Sequence, residues 1–179
     1  MAENEQTQEQ KRKGHVVGAG QKKIKGVFST QAVQKVGTGT TSRKTIQKTY
    51  WFVEETEDGE IVQVQPLNVN YIPSGPKRDV PKEDFLEKFN PEPEFYTTTV
   101  YPKIRELDDT IVRGEKHRES GNAYSAEFEF KQATNVDEEN VRANFGLGLT
   151  YLDRGDDTKA NDIFERLVKL DAAFEPEHK

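Results

Sequence analysis

The chain has 179 residues, enough for one ordinary domain with flanking segments. Only 32% of them are hydrophobic and another 32% are charged, so part of the chain lacks the apolar surface to enter a core. There is no cysteine, which excludes disulfides, thiolate nucleophiles and cysteine-ligated zinc. The net charge of −6 hides an asymmetry. Residues 1–48 carry ten Lys/Arg against three Glu, and residues 49–179 carry sixteen against 29 acids. No acid lies between Lys11 and Lys48. A basic arm is therefore joined to an acidic body. The N-terminal run MAENEQTQEQKRKGHVV has no apolar stretch of the kind a secretory signal needs. No segment approaches the roughly 18 apolar residues of a membrane span, so a cytoplasmic protein is expected.

Residues 1–44 are rich in Gln, Lys, Thr and Gly, and their few large apolar side chains follow neither a helical nor a strand period. Such a composition does not offset chain entropy, and the segment reads as a disordered basic arm. Within it, GVFSTQAVQKVG orders only if it finds a surface to lie on. Residues 45–106 begin with two β-prone runs, TIQKTYWFVEE and EIVQVQPLN, separated by the turn candidate Thr56 to Gly59. A hairpin follows from that pattern. It should dock on the helices, because an isolated hairpin is marginal in water. A proline-punctuated connector comes next. It carries one short helix, PKEDFLEKF, with Phe85, Leu86 and Phe89 on its apolar face.

From residue 107 to 174 the chain repeats with a period of 34 residues, as 107–140 and 141–174. Gly114 matches Gly148, Gly121 matches Gly155, Ala126 matches Ala160, Phe130 matches Phe164 and Asp137 matches Asp171. Small residues at 114, 126, 148 and 160 would let paired helices approach. Gly121 and Gly155 would end the first helix of each pair, and Asn122 and Asp156 would cap the second. Phe130 and Phe164 would fill the space between one repeat and the next.

The runs NFGLGLTYLDRGDDTKANDIFERLVKLD and, more loosely, IVRGEKHRESGNAYSAEFEFKQATNVD resemble the tetratricopeptide repeat. Arg113 and His117 depart from that pattern, as do Thr110 and Asn144 at positions usually large. The resemblance implies a mainly α chain. Tandem helix-turn-helix repeats would form an α-solenoid, with a small N-terminal β-hairpin or extended region and a disordered basic arm. Arrays of this kind generally need three or more repeats and a cap, and FEPEHK stands where a third repeat would start. The hairpin and the Phe85 helix are the expected cap.

The resemblance also implies a groove lined by the first helix of each repeat, presenting Asp108, Ile111, Glu115, Arg118, Arg142, Phe145, Leu149 and Leu152. The Lys/Asn clamp that some members use on a C-terminal carboxylate is missing, since Ile111, Glu115, Phe145 and Leu149 hold those positions. An adaptor or assembly module that holds another protein or peptide segment, or self-associates, is the expected function. The stripe of Phe145, Leu149 and Leu152 is either that docking surface or is covered by the chain's own N-terminal region.

No catalytic set emerges, and neither a cofactor nor a metal is expected. His15, His117 and His178 lie far apart, and acid pairs such as Asp108-Asp109 sit at helix starts. The chain has no Gly-x-Ser-x-Gly, and GTGTT at 37–41 lacks the ending of a phosphate loop. An alternative class is a regulatory nucleic-acid-binding protein that uses Lys22, Lys23, Lys25, Arg43 and Lys44 of the arm, with the repeats serving oligomerisation.

Overall fold

The computed structural model describes residues 22–37 and 43–174. Five antiparallel strands occupy its first half: β1 (Lys25–Val36), β2 (Arg43–Glu55), β3 (Ile61–Pro66), β4 (Arg78–Pro81) and β5 (Asn90–Pro91). Their spatial order is β4-β3-β2-β1-β5. This corrects the mainly α expectation: a five-stranded sheet stands beside the helices, so the molecule is not a mainly helical solenoid. It corrects the disordered arm as well, because Lys25–Val36 is a 12-residue strand paired with β2 along its whole length. Composition missed β1 because its order comes from a partner strand rather than from its own apolar content. The expectations for residues 1–21, 38–42 and 175–179 lie outside the described residues.

The β2–β3 hairpin forms where the alternation places it, with Glu55 opposite Val62 and Val53 opposite Val64. In the turn, the Thr56 hydroxyl donates to Asp58, and Gly59 adopts φ +74°. Val53, Val62 and Val64 share one face with Phe28 and Trp51, covered by helix α1 (Lys82–Lys88) through Phe85 and the adjoining Phe89. Phe85 is fully buried, which contributes about 2–3 kcal/mol. The opposite face carries Val27, Tyr50 and Phe52 and is covered by a helical turn (Pro93–Phe95) running into a π-helical turn (Tyr96–Val100). Tyr50 lies 4.6 Å from Phe95 and Phe52 lies 6.3 Å from Tyr96, ring to ring. The sheet is thus closed on both sides at its root.

Four helices follow: α2 (Tyr101–Glu119), α3 (Ala123–Val136), α4 (Val141–Asp153) and α5 (Asp157–Phe174). They pack in sequence order around Leu107, Ile111, Ala126, Phe130, Leu147, Tyr151, Ala160 and Ile163. Glycine spacing accounts for their closeness. A Cβ at Gly114 would stand 2.8 Å from the Phe130 ring, and one at Gly148 would stand 2.7 Å from the Phe164 ring, 34 residues on. Gly146 makes a third approach, at 2.4 Å from Phe130, so that ring fills the space between α2 and α4. Gly121 and Gly155 end α2 and α4 with φ near +75°. Asn122 occupies the N-cap of α3 without a side-chain bond, whereas Asn140 caps α4 by accepting from the Ala143 N–H at 2.8 Å.

The sheet joins the helices through the β3–β4 loop. Ile72 from this loop is buried in the helical core. The Asn68 and Asn70 amides each donate to the Val136 carbonyl at 3.0 Å, and the Ser74 hydroxyl donates to Asp137 at 2.9 Å. The loop, rather than α1, is therefore what reaches the first helical pair, and α1 stays on the sheet. Among the described residues no helix is long and apolar enough to cross a membrane.

Candidate functional site

Helices α2 and α4 run side by side, and cross-helix ion pairs hold them in register. Arg142 at the start of α4 donates through Nε and Nη2 to both Glu115 carboxylate oxygens at 2.7 Å, and through Nη1 to Asp108 at 2.7 Å. Near the other end, Arg118 meets Asp153 at 2.7 Å. These five residues lie at the surface, and the pairing of Asp108, Glu115 and Arg118 with α4 brings the two halves of the expected groove together. Ile111 does not join them. It turns into the core at 3% exposure, so it is packing rather than a docking side chain.

The apolar stripe lies along α4. Phe145 is 50% exposed and Leu152 44% exposed, with Leu149 between them half-buried. Phe145 rests edge-on against Phe164 at 5.9 Å, which fixes the ring without covering it. The N-terminal half docks elsewhere, through the loop that carries Ile72 against α3. Of the two readings of the stripe, cover by residues 45–101 is the one this arrangement does not support.

Behind the stripe, a polar network locks α3 to α4. Glu127 accepts from Tyr151 at 3.1 Å and from Lys131 at 2.6 Å, and it also pairs with Arg154. The Lys131 hydrogen bond, reinforced by Tyr151 and Arg154, holds the Glu127 carboxyl below its ordinary range despite burial. Burial and the nearby Glu127 charge push the Tyr151 hydroxyl up. Asn144, which departs from the tetratricopeptide pattern that these runs resemble, is buried and ties the α3–α4 turn by donating to the Glu138 and Asn140 carbonyls at 2.9 and 2.8 Å. A short amide there replaces apolar volume with turn bonds, a substitution invisible to a period count.

The basic residues of the alternative reading fall in two places. Lys22, Lys23 and Lys25 stand at the root of β1, where Lys25 pairs with Glu54 at 3.3 Å. Arg43 and Lys44 stand at the far end of the β1–β2 hairpin, opposite Val36 and Lys35. Ten residues of strand separate the clusters, about 33 Å at the usual rise. They do not form one site.

Among the described residues no group of His, Asp or Glu could hold a metal ion. Comparison with family models, curated proteins and solved structures finds no match.

Proposed function

We propose that the α2–α4 face holds a segment of another protein, making the chain an adaptor or assembly module in a soluble, cytoplasmic setting. The observation that carries this reading is the half-exposed Phe145–Leu152 stripe, held rigid by Phe164 and rimmed by the Arg142–Glu115 and Arg118–Asp153 pairs. An aromatic anchor inside a polar rim is the layout of a binding hot spot. The 34-residue recurrence of the Gly114–Phe130 and Gly148–Phe164 contacts supports treating α2–α5 as two helical repeats resembling the tetratricopeptide type, built onto a sheet. The test places a photo-crosslinking amino acid at position 145, 152 or, on the exposed surface of α3, 128. One protein captured from 145 and 152 but not from 128, and lost on Phe164→Ala, supports the reading. Equal capture from all three positions refutes it.

A further inference from the structure

The hairpin β1–β2 outgrows its sheet. Strand β5 pairs only with Phe28 and Ser29, and β3 pairs only with Trp51 through Glu55. Beyond that root, Gln31–Val36 and Arg43–Lys48 form a two-stranded ribbon about 20 Å long, with both faces and both edges open to solvent. One face carries Val33 opposite Ile46, 67% and 65% exposed, followed toward the tip by Lys35 directly opposite Lys44. The other carries Ala32, Gln34, Thr45, Gln47 and Arg43. Like charges directly opposite destabilise a strand pair. No acid within ion-pair distance relieves Lys35, Arg43 or Lys44 among the described residues, whereas Lys48 nearer the root is matched by Glu92. Toward its tip the ribbon therefore concentrates positive charge that no acid among the described residues pairs, on a body that is otherwise acidic.

We propose that this ribbon is a binding element for duplex nucleic acid, independent of the α2–α4 face. Charge complementarity is the first reason: three clustered cations with no acidic partner among the described residues suit a polyanion, and each phosphate they neutralise releases a counter-ion. Shape is the second, because a two-stranded ribbon fits the duplex major groove, about 12 Å wide. Side-chain type is the third. Arg43, Gln34, Gln47 and Thr45 share the face whose amide, guanidinium and methyl groups are those that contact base edges. A second copy of this chain, held through its acidic helices, is the competing occupant.

The experiment measures anisotropy of a short fluorescent DNA duplex with the full chain across a salt series. It compares wild type, Lys35→Gln/Arg43→Gln/Lys44→Gln, and the charge-matched control Lys77→Gln/Lys103→Gln/Lys116→Gln. The ribbon variant should lose affinity on the order of 100-fold, and the slope of log affinity against log salt should fall by about 3, at roughly 0.9 per contact. The control variant should match wild type. Lys35→Glu alone, which turns a cross-strand repulsion into an attraction, should melt no lower than wild type and still bind more weakly. Equal losses in the ribbon and control variants would overturn the proposal. So would absence of duplex binding at low salt, or a duplex-free dimer in sedimentation that only the ribbon variant dissolves.

Discussion

Substituting Gly146 by Ala inserts one methyl group where the structure has no room for it. The new Cβ would lie 2.4 Å from Cζ and 2.5 Å from Cε1 of Phe130, against an ordinary carbon–carbon contact of about 3.5–4.0 Å. The ring cannot retreat, because Phe130 is fully buried and its far side faces Gly114 with the same lack of space. Overpacking of this kind costs about 1–3 kcal/mol, and here the upper end applies. Alanine returns about 1 kcal/mol of helix propensity, leaving a net loss of about 2 kcal/mol. A fall in melting temperature of roughly 4–8 °C is expected for a chain of this length. The assay is urea unfolding followed by far-ultraviolet circular dichroism, in which the midpoint should fall with an unchanged slope. The decisive arm is the double-mutant cycle with Phe130→Ala. Once the ring is gone, the same methyl group should be neutral or stabilising by up to about 1 kcal/mol. A Gly146→Ala loss of equal size in both backgrounds would refute the packing argument, as would a single variant as stable as wild type.

Ile72→Ala should cost about 2–3 kcal/mol by removing the loop's anchor from the helical core, while Val69→Ala in the same loop, exposed to solvent, should leave the urea midpoint unchanged. Arg142→Gln should cost less than about 1 kcal/mol, because the guanidinium and its partners are half exposed; a larger loss in the same assay would mean the cluster is more than a surface ion pair. Glu55 supplies a pH signature. Burial works to raise its pKa, but the Ile24 N–H at 2.8 Å and Lys82 at 2.6 Å outweigh it and hold the folded-state value below the ordinary one. The stabilisation is therefore complete above the unfolded-state pKa, about 4.3, and disappears as pH falls through the lower folded value. Glu55→Gln should be less stable than wild type at neutral pH, and the gap should close on acidification through that window. A gap that stays constant with pH would sink the assignment.

The helical half was readable because its determinants are local and periodic. The glycines and phenylalanines spaced by 34 residues are the contacts that set helix separation, and the ion pairs of Asp108, Glu115 and Arg142 follow from helix register alone. Ile111 was misplaced because the repeat resemblance puts it on a groove face, whereas here it packs in the same core that receives Ile72 from the β3–β4 loop. The sheet was half readable. β2 and β3 alternate around buried valines, so their hairpin is written in the side chains. β1 shows that alternation only over Val27 to Ser29, where α1 and the Tyr96 turn cover it. Beyond Thr30 neither face is buried, so no period exists to find, and backbone pairing with β2 supplies the order. The loop from Leu67 to Gly75 was read as a connector because its anchoring uses two asparagine amides and one isoleucine, too few residues for a pattern.

The π-helical turn at Tyr96–Val100 sets the rotational phase between the sheet and the helices. Tyr96 within it faces the sheet, packing on Phe52 and against Gly26, and α2 continues directly from its end. A π turn holds about one residue more than the α turn it replaces, and one residue of an α-helix is about 100° of rotation. If this segment straightened into continuous α-helix with all its residues kept, the surplus residue would have to be taken up as extra rotation. That rotation would swing α2 out of phase with Tyr96 by roughly a quarter turn. The β3–β4 loop could not then seat Ile72 in the helical core while the aromatic turn still covered Phe52. The surplus residue acts as an angular shim, and it lets two modules with unrelated periodicities share one continuous length of chain.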